Sequence, residues 1–160
     1  IYTIKLMRRN LDITGGFDQN ILRTLLVREF MSRDTAIVSE NTTVAEIIEV
    51  FRIKDASYLH VIDANNQLAG IISLRDIRRI LGQEESNYHT FARDIATTDV
   101  ITVTPADNIQ VALQLMSSKG ISQLPVVKEK NSRDLIGDLR EKDLLAAYDK
   151  AVLRREIEIT

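Results

Sequence analysis

Gly70-Ile71-Ile72-Ser73-Leu74-Arg75-Asp76 carries the chain from an apolar run into the start of a helix, and at a shift of 67 residues Gly137 and Asp143 stand at the two ends of a second such stretch. Upstream of this corner the shift becomes 65. Ser57 falls on Ser122, Leu59 on Leu124 and Val61 on Val126, then Arg28 on Arg93, Asp34 on Asp99 and Val38 on Val103. The change in shift lies in the connection before the corner, where the second copy runs longer from Glu129 to Asp134. A surface loop accommodates such an insertion. The pattern is that of an internal duplication.

Each copy opens with a β-rich run, Ala36-Ile37-Val38 or Val100-Ile101-Thr102-Val103, followed by residues that start helices. Val44, Ile47, Ile48 and Phe51 recur at helical spacing, as do Ile109, Ala112, Leu113 and Met116, so each helix has one buried stripe. Thr43 and Glu46 stand three apart, as a capping box requires, and Asp107 is expected to accept from the free amides at the second start. Ser57 to Ile62 and Leu68 to Ser73, joined at Ala64-Asn65-Asn66, read as a hairpin that Ser122 to Lys128 and Leu135 to Leu139 repeat. Ile77, Ile80 and Leu81 in one copy, and Leu144, Ala147 and Tyr148 in the other, mark a closing helix with one apolar edge. The unit is therefore β-α-β-β-α.

One such unit buries too little surface to offset its chain entropy. Two are expected to pack sheet against sheet as a pseudo-two-fold pair, an α/β fold. The expected division is a linker over 1–24, repeats over 25–86 and 87–150, and a tail over 151–160.

Composition removes several classes of function. With 21 basic against 23 acidic side chains the net charge is −2, so no broad field draws the molecule to nucleic acid, although a local basic patch stays open. The absence of cysteine removes disulfides and thiolate metal sites, and two isolated histidines make a poor metal constellation. Charges interrupt every apolar run before the roughly 18 residues of a bilayer crossing. No phosphate-binding glycine loop, zinc-hydrolase signature or nucleophile elbow occurs, so no enzymatic activity is expected. The start at Ile1 rather than methionine suggests a piece of a longer protein.

These residues resemble the CBS family: the twin units, the Ser122-Gln123-Leu124-Pro125-Val126-Val127 run and the Gly70 to Asp76 corner, across about Leu25 to Tyr148. The resemblance implies a disc with two clefts between the repeats, which commonly accept adenine nucleotides or related adenosyl ligands; some pairs bind nothing. It makes Asp76 a candidate ribose acceptor and Ser73 a candidate phosphate donor, with Val100, Ile101 and Ser122 completing that cleft. The same Ser73 and Asp76 also read as a plain helix cap. In the second copy Arg140 stands where the hydroxyl residue is expected, leaving Arg140-Glu141-Lys142-Asp143. Arginine cannot cap, and its charge opposes the helix dipole, so Asp143 beside Lys142 fits ribose and phosphate contacts better than capping.

Ile1-Tyr2-Thr3-Ile4-Lys5-Leu6-Met7-Arg8-Arg9 looks like the end of the membrane portion of CLC-type chloride channels and transporters. Under that resemblance Tyr2 sits near a chloride-coordinating position, with Lys5, Arg8 and Arg9 emerging toward the cytosol. The other reading is a basic amphipathic arm. In CLC-type pairs the nucleotide lies between the second copy's aspartate and the first copy's early strands, here Asp143 and Lys142 with Thr35, Ala36, Ile37, Ser57 and Tyr58. Tyr58 then stacks on the purine, or else belongs to the core. His60, where the second copy has Pro125, reads as a hydrogen-bonded structural residue, and Arg75, Arg78 and Arg79 as a phosphate-facing patch or a solvated helix face.

The expectation is a cytosolic regulatory pair on the cytoplasmic face of a homodimeric CLC-type chloride channel or chloride/proton exchanger, joined to the membrane domain of the same chain. It would sense ATP, ADP or AMP, with no cofactor or metal required. The alternatives are a module of another transporter or of a nucleotide-metabolism enzyme, or a ligand-free dimerisation scaffold.

Overall fold

The computed structural model describes residues 19–83 and 89–159. It is an α/β protein whose two copies are each β-α-β-β-α-like, built from α1 (Gln19–Thr24), α2 (Val27–Phe30), β1 (Ile37–Ser39), α3 (Val44–Ile53), β2 (Tyr58–Ile62), β3 (Leu68–Ser73), α4 (Leu74–Leu81), α5 (Ala92–Ile95), α6 (Ile109–Lys119), β4 (Gln123–Val127), β5 (Leu135–Arg140) and α7 (Glu141–Ile159). These elements form two compact units. One holds Asp34–Ile101 with Asn131–Leu135; the other holds the described residues up to Arg33 with Thr102–Lys130 and Ile136 onward.

In the unit built on the first copy, β1 runs parallel to β2 with Ile37 opposite His60, and β2 runs antiparallel to β3 with Tyr58 opposite Ser73. The β2–β3 turn is held by the Asp63 carboxylate, which accepts from the amides of Asn65 (2.8 Å) and Gln67 (3.0 Å), while Asn66 takes a left-handed φ of 60°. Val38, Ile47, Leu59, Val61, Ile72, Ile77 and Ala92 form its core. The helix α3 opens with the capping box anticipated: Thr43 Oγ1 accepts from the Glu46 amide (3.3 Å) and Glu46 Oε2 accepts from the Thr43 amide (2.9 Å).

The unit built on the second copy buries Ile109, Ala112, Leu113 and Met116 of α6, Leu124, Val126 and Val127 of β4, Leu139 of β5, and Leu144 and Ala147 of α7. Three local expectations are corrected there and at its counterpart. The cap of α6 is Asn108, whose side chain accepts from the Val111 amide at 3.0 Å; the Asp107 carboxylate turns back to the Thr104 amide at 2.8 Å. Leu81 is 45% exposed, leaving Ile77 and Ile80 as the buried edge of α4.

The third correction concerns Val100–Val103, which is not a strand but a single parallel bridge between Val103 and Val126. Its cause is Pro125. In the first copy the His60 amide donates to the Ala36 carbonyl at 2.9 Å. Pro125 holds the equivalent position without an N–H, so the ladder loses that rung and keeps only Val103 N to Pro125 O (3.1 Å) and Val127 N to Val103 O (2.9 Å).

Each unit takes the segment that leads into the other copy. In one, the amides of Val27 and Arg28 donate to Asp107 O and Pro105 O (2.8 and 3.1 Å) and Ile109 N donates to Leu25 O (2.8 Å). In the other, Ala92 and Arg93 donate to Thr42 O and Glu40 O (2.7 and 3.0 Å) and Val44 N donates to Thr90 O (2.9 Å), the same bonds at a shift of 65. Ser32 and Asp138 exchange paired bonds at 2.8 Å, as Thr97 and Ile71 do at 2.9 Å. The approach is close enough to require glycine alongside. A Cβ on Gly70 would sit 3.0 Å from Thr97 O, and one on Gly137 would sit 2.7 Å from Ser32 O and against the Met31 methyl.

Candidate functional site

The two strand-to-helix corners are where the sequence concentrates its candidate residues, and each forms inside its own unit. At the first, Leu74 N donates to Ser57 O at 3.0 Å, tying the start of α4 to the start of β2. Ser73 Oγ accepts from the Asp76 amide (3.1 Å), Asp76 Oδ2 accepts from the Ser73 amide (2.9 Å), and Asp76 Oδ1 pairs with Arg79 at 3.2 Å. The pair is thus a complete capping box, and both carboxylate oxygens are engaged. Arg75, Arg78 and Arg79 are all exposed, the solvated-face reading.

Thr35, Ala36, Ile37, Ser57 and Tyr58 share this unit with Ser73, Asp76, Val100 and Ile101. Thr35, Ala36, Tyr58, Val100 and Ile101 are half-buried, and Ile37 and Ser57 are exposed. His60 is buried with Nδ1 3.1 Å from the Ala36 carbonyl oxygen, which makes it a structural residue as anticipated.

At the second corner Glu141 N donates to Ser122 O at 2.9 Å, the counterpart of the Leu74–Ser57 bond. Ser122, Lys142 and Asp143 lie in the second unit. Lys142 is exposed and Asp143 half-buried. No side chain among the described residues caps α7. Arg140 occupies the cap position, and its Nε is buried without a hydrogen-bond partner among them.

Sequence reasoning passed over one buried feature of this unit. Asp138 is only 2% exposed and accepts from the Gln123 side-chain amide. The available signal was an acid inside the apolar run Leu135-Ile136-Gly137-Asp138-Leu139, at the register position that Ile71 fills in the first copy.

These corners offer fixed charges, carboxylate acceptors and helix-start amides, the groups that hold a ribose and a phosphate. Among the described residues, two side chains titrate away from their ordinary values. Burial and then the charge of Asp149 push the Tyr148 phenol up, and the hydrogen bond and charge of Glu49 raise the Arg52 guanidinium. Among the described residues no cluster of three His, Cys, Asp or Glu could hold a metal ion, and no helix is long and apolar enough to cross a membrane. The Tyr2 to Arg9 segment lies outside the described residues.

Comparison with known proteins gives a consistent pattern. The model of the CBS domain matches twice, over residues 27–83 and 92–150. Inosine-5'-monophosphate dehydrogenase of Methanocaldococcus jannaschii is 32% identical over 117 residues, 73% of this chain and 22% of that protein. In two other curated relatives the aligned stretch is 24% and 41% of the whole, so the chain spans well under two thirds of their length. A solved CBS domain pair in complex with 5'-methylthioadenosine and S-adenosyl-L-methionine superposes with a TM-score of 0.67 at 24% identity, covering 78% of this chain and 96% of that one. The cytosolic domain of the Mg2+ channel MgtE in complex with ATP gives 0.64 at 22%, covering 82% and 50%. At these identities the likeness of the two structures is one of fold.

Proposed function

We propose, from the premise that this chain belongs to the CBS domain family, that it is a regulatory module whose ligand carries an adenosine moiety and whose output is a change of conformation rather than a reaction. One observation carries this reading. Asp76 and Asp143 recur at the same place in two corners that otherwise keep only their glycines, Gly70 and Gly137, and a helix cap accounts for the first but not for the second. The ligands of the two solved relatives, 5'-methylthioadenosine with S-adenosyl-L-methionine and ATP, have adenosine in common.

The roles follow from charge and reach. Asp143 accepts from ribose hydroxyls, and Lys142 with the uncapped α7 amides neutralises phosphate. Thr35, Ala36, Ile37, Ser57 and Tyr58, which share the other unit, offer donors and apolar surface of the kind a base requires. Ser73 and Asp76, with Val100 and Ile101 of the same unit, are a second candidate set whose carboxylate must first give up part of its cap. For regulation the ligand must prefer one conformation over another. A coupling of about 1 to 3 kcal/mol would change the ratio of states roughly 5- to 150-fold.

Titration calorimetry with AMP, ADP, ATP, S-adenosyl-L-methionine and 5'-methylthioadenosine tests the reading. At least one should bind, and Asp143→Ala should abolish its signal. No heat from any of them at millimolar concentration, where binding is worth only about 4 kcal/mol, would leave a ligand-free scaffold. Bound ATP should be recovered unhydrolysed.

A second reading concerns the parent protein and is favoured by the Tyr2 to Arg9 pattern, apolar residues giving way to positive charge. It places the pair on the cytoplasmic face of a homodimeric CLC-type chloride transporter. Coding sequence upstream of Ile1 that specifies an enzyme rather than a membrane domain would remove it.

A further inference from the structure

We infer that Arg140 makes the Asp143 site selective for adenosine ligands that carry phosphate, over neutral or cationic ones. The inference rests on the adenosine reading above and adds a ligand class to it.

At the first corner the residue before the helix is Ser73, whose hydroxyl is turned onto its own helix by accepting from the Asp76 amide. At the second corner the same position holds a guanidinium, a planar cation with a fork of N–H donors. Its Nε is buried with no partner, and no ion pair among the described residues engages it. A buried N–H left unpaired is unfavourable, and so is a cation at the N-terminal end of a helix of 19 residues. Glu141, 7% exposed, and Asp143 place two acids in the same first turn, with the exposed Lys142 between them adding a second positive charge. One change relieves every part of this arrangement: an anion held by Arg140, Lys142 and the α7 amides, with Asp143 left for a hydroxyl donor. A phosphorylated nucleoside supplies both groups. Methylthioadenosine supplies the hydroxyls but no anion, and the sulfonium of S-adenosylmethionine adds a further cation.

The test compares ADP with 5'-methylthioadenosine by calorimetry on the full chain, assigning to this site the component that Asp143→Asn removes. The wild-type site should prefer ADP. Arg140→Ser should weaken ADP by about 10- to 100-fold, the worth of a charge-assisted hydrogen bond, and leave methylthioadenosine within about twofold. Arg140→Gln, which keeps most of the reach without the charge, should behave alike and guards against local repacking by serine. Equal losses for both ligands, or ADP binding unchanged in both variants, would overturn the role of Arg140 while leaving adenosine sensing in place. Failure of the wild-type chain to bind either ligand would overturn both.

Discussion

The Ser73–Asp76 corner and the Arg140–Asp143 corner share a backbone and differ in what closes it. Both end a strand, start a helix and tie the first helical amide to the opposite strand, through Leu74 to Ser57 and through Glu141 to Ser122. Both pass a glycine under the leading segment of the other copy. In the first, side chains satisfy the helix start from within. In the second, the buried Nε of the half-buried Arg140 is left without a partner. Duplication preserved the packing, and divergence exchanged a cap closed by its own side chains for one in which Arg140, Glu141, Lys142 and Asp143 set two positive against two negative charges.

If packing is what the corners share, the deepest equivalent residues should cost alike. Ile72→Ala and Leu139→Ala, at fully buried positions, should each lower stability by about 2 to 5 kcal/mol in urea denaturation. A loss at only one of them would break the equivalence. The next effect sharpens it. Gly70→Ala and Gly137→Ala should each cost about 1 to 3 kcal/mol through overpacking, with Gly137 the worse because its new Cβ meets a carbonyl at 2.7 rather than 3.0 Å.

The caps should give effects of opposite sign. Ser73→Ala should lose about 1 kcal/mol, whereas Arg140→Ser should gain up to about 1 kcal/mol by introducing a cap, while weakening the phosphate ligand. A destabilised Arg140→Ser would show that the arginine already has a structural role. The smallest effect is one of pH. Tyr148 occupies the position in α7 that Leu81 holds in α4, and its phenol titrates above its ordinary value when folded. The neutral form is favoured by folding, so this contribution is intact below about pH 10 and is lost as pH rises beyond it. Stability curves of wild type and Tyr148→Phe should keep a constant offset up to that point and then change it slightly, the wild type falling faster.

Much of this was legible in advance because it is local. Helical stripes at Val44 and Ile109, the Thr43–Glu46 box and the Asn66 turn depend on residues within a few positions of one another. Even the misplaced cap of α6 erred by a single residue, since Asp107 and Asn108 are both good acceptors. The collapse of the Val100–Val103 strand was written in Pro125, but its consequence depends on which carbonyl faces that proline, and register is a long-range property. The buried Asp138–Gln123 pair was missed for the same reason: neither residue shows in sequence that the other will reach it.

What the chain's order of residues determined alone is the duplication, the element sequence within each copy and the retention of Asp76 and Asp143 at corresponding points. What only the tertiary structure decided is that each leading segment packs on the other copy, and that Ser73 is consumed by its own helix while the Arg140 Nε is left unpaired. Periodicity and capping are properties of side chains and can be read one turn at a time. The exchange of leaders is made largely by backbone amides and carbonyls, which are common to every residue type but proline, so only the assembled chain reveals which of them meet.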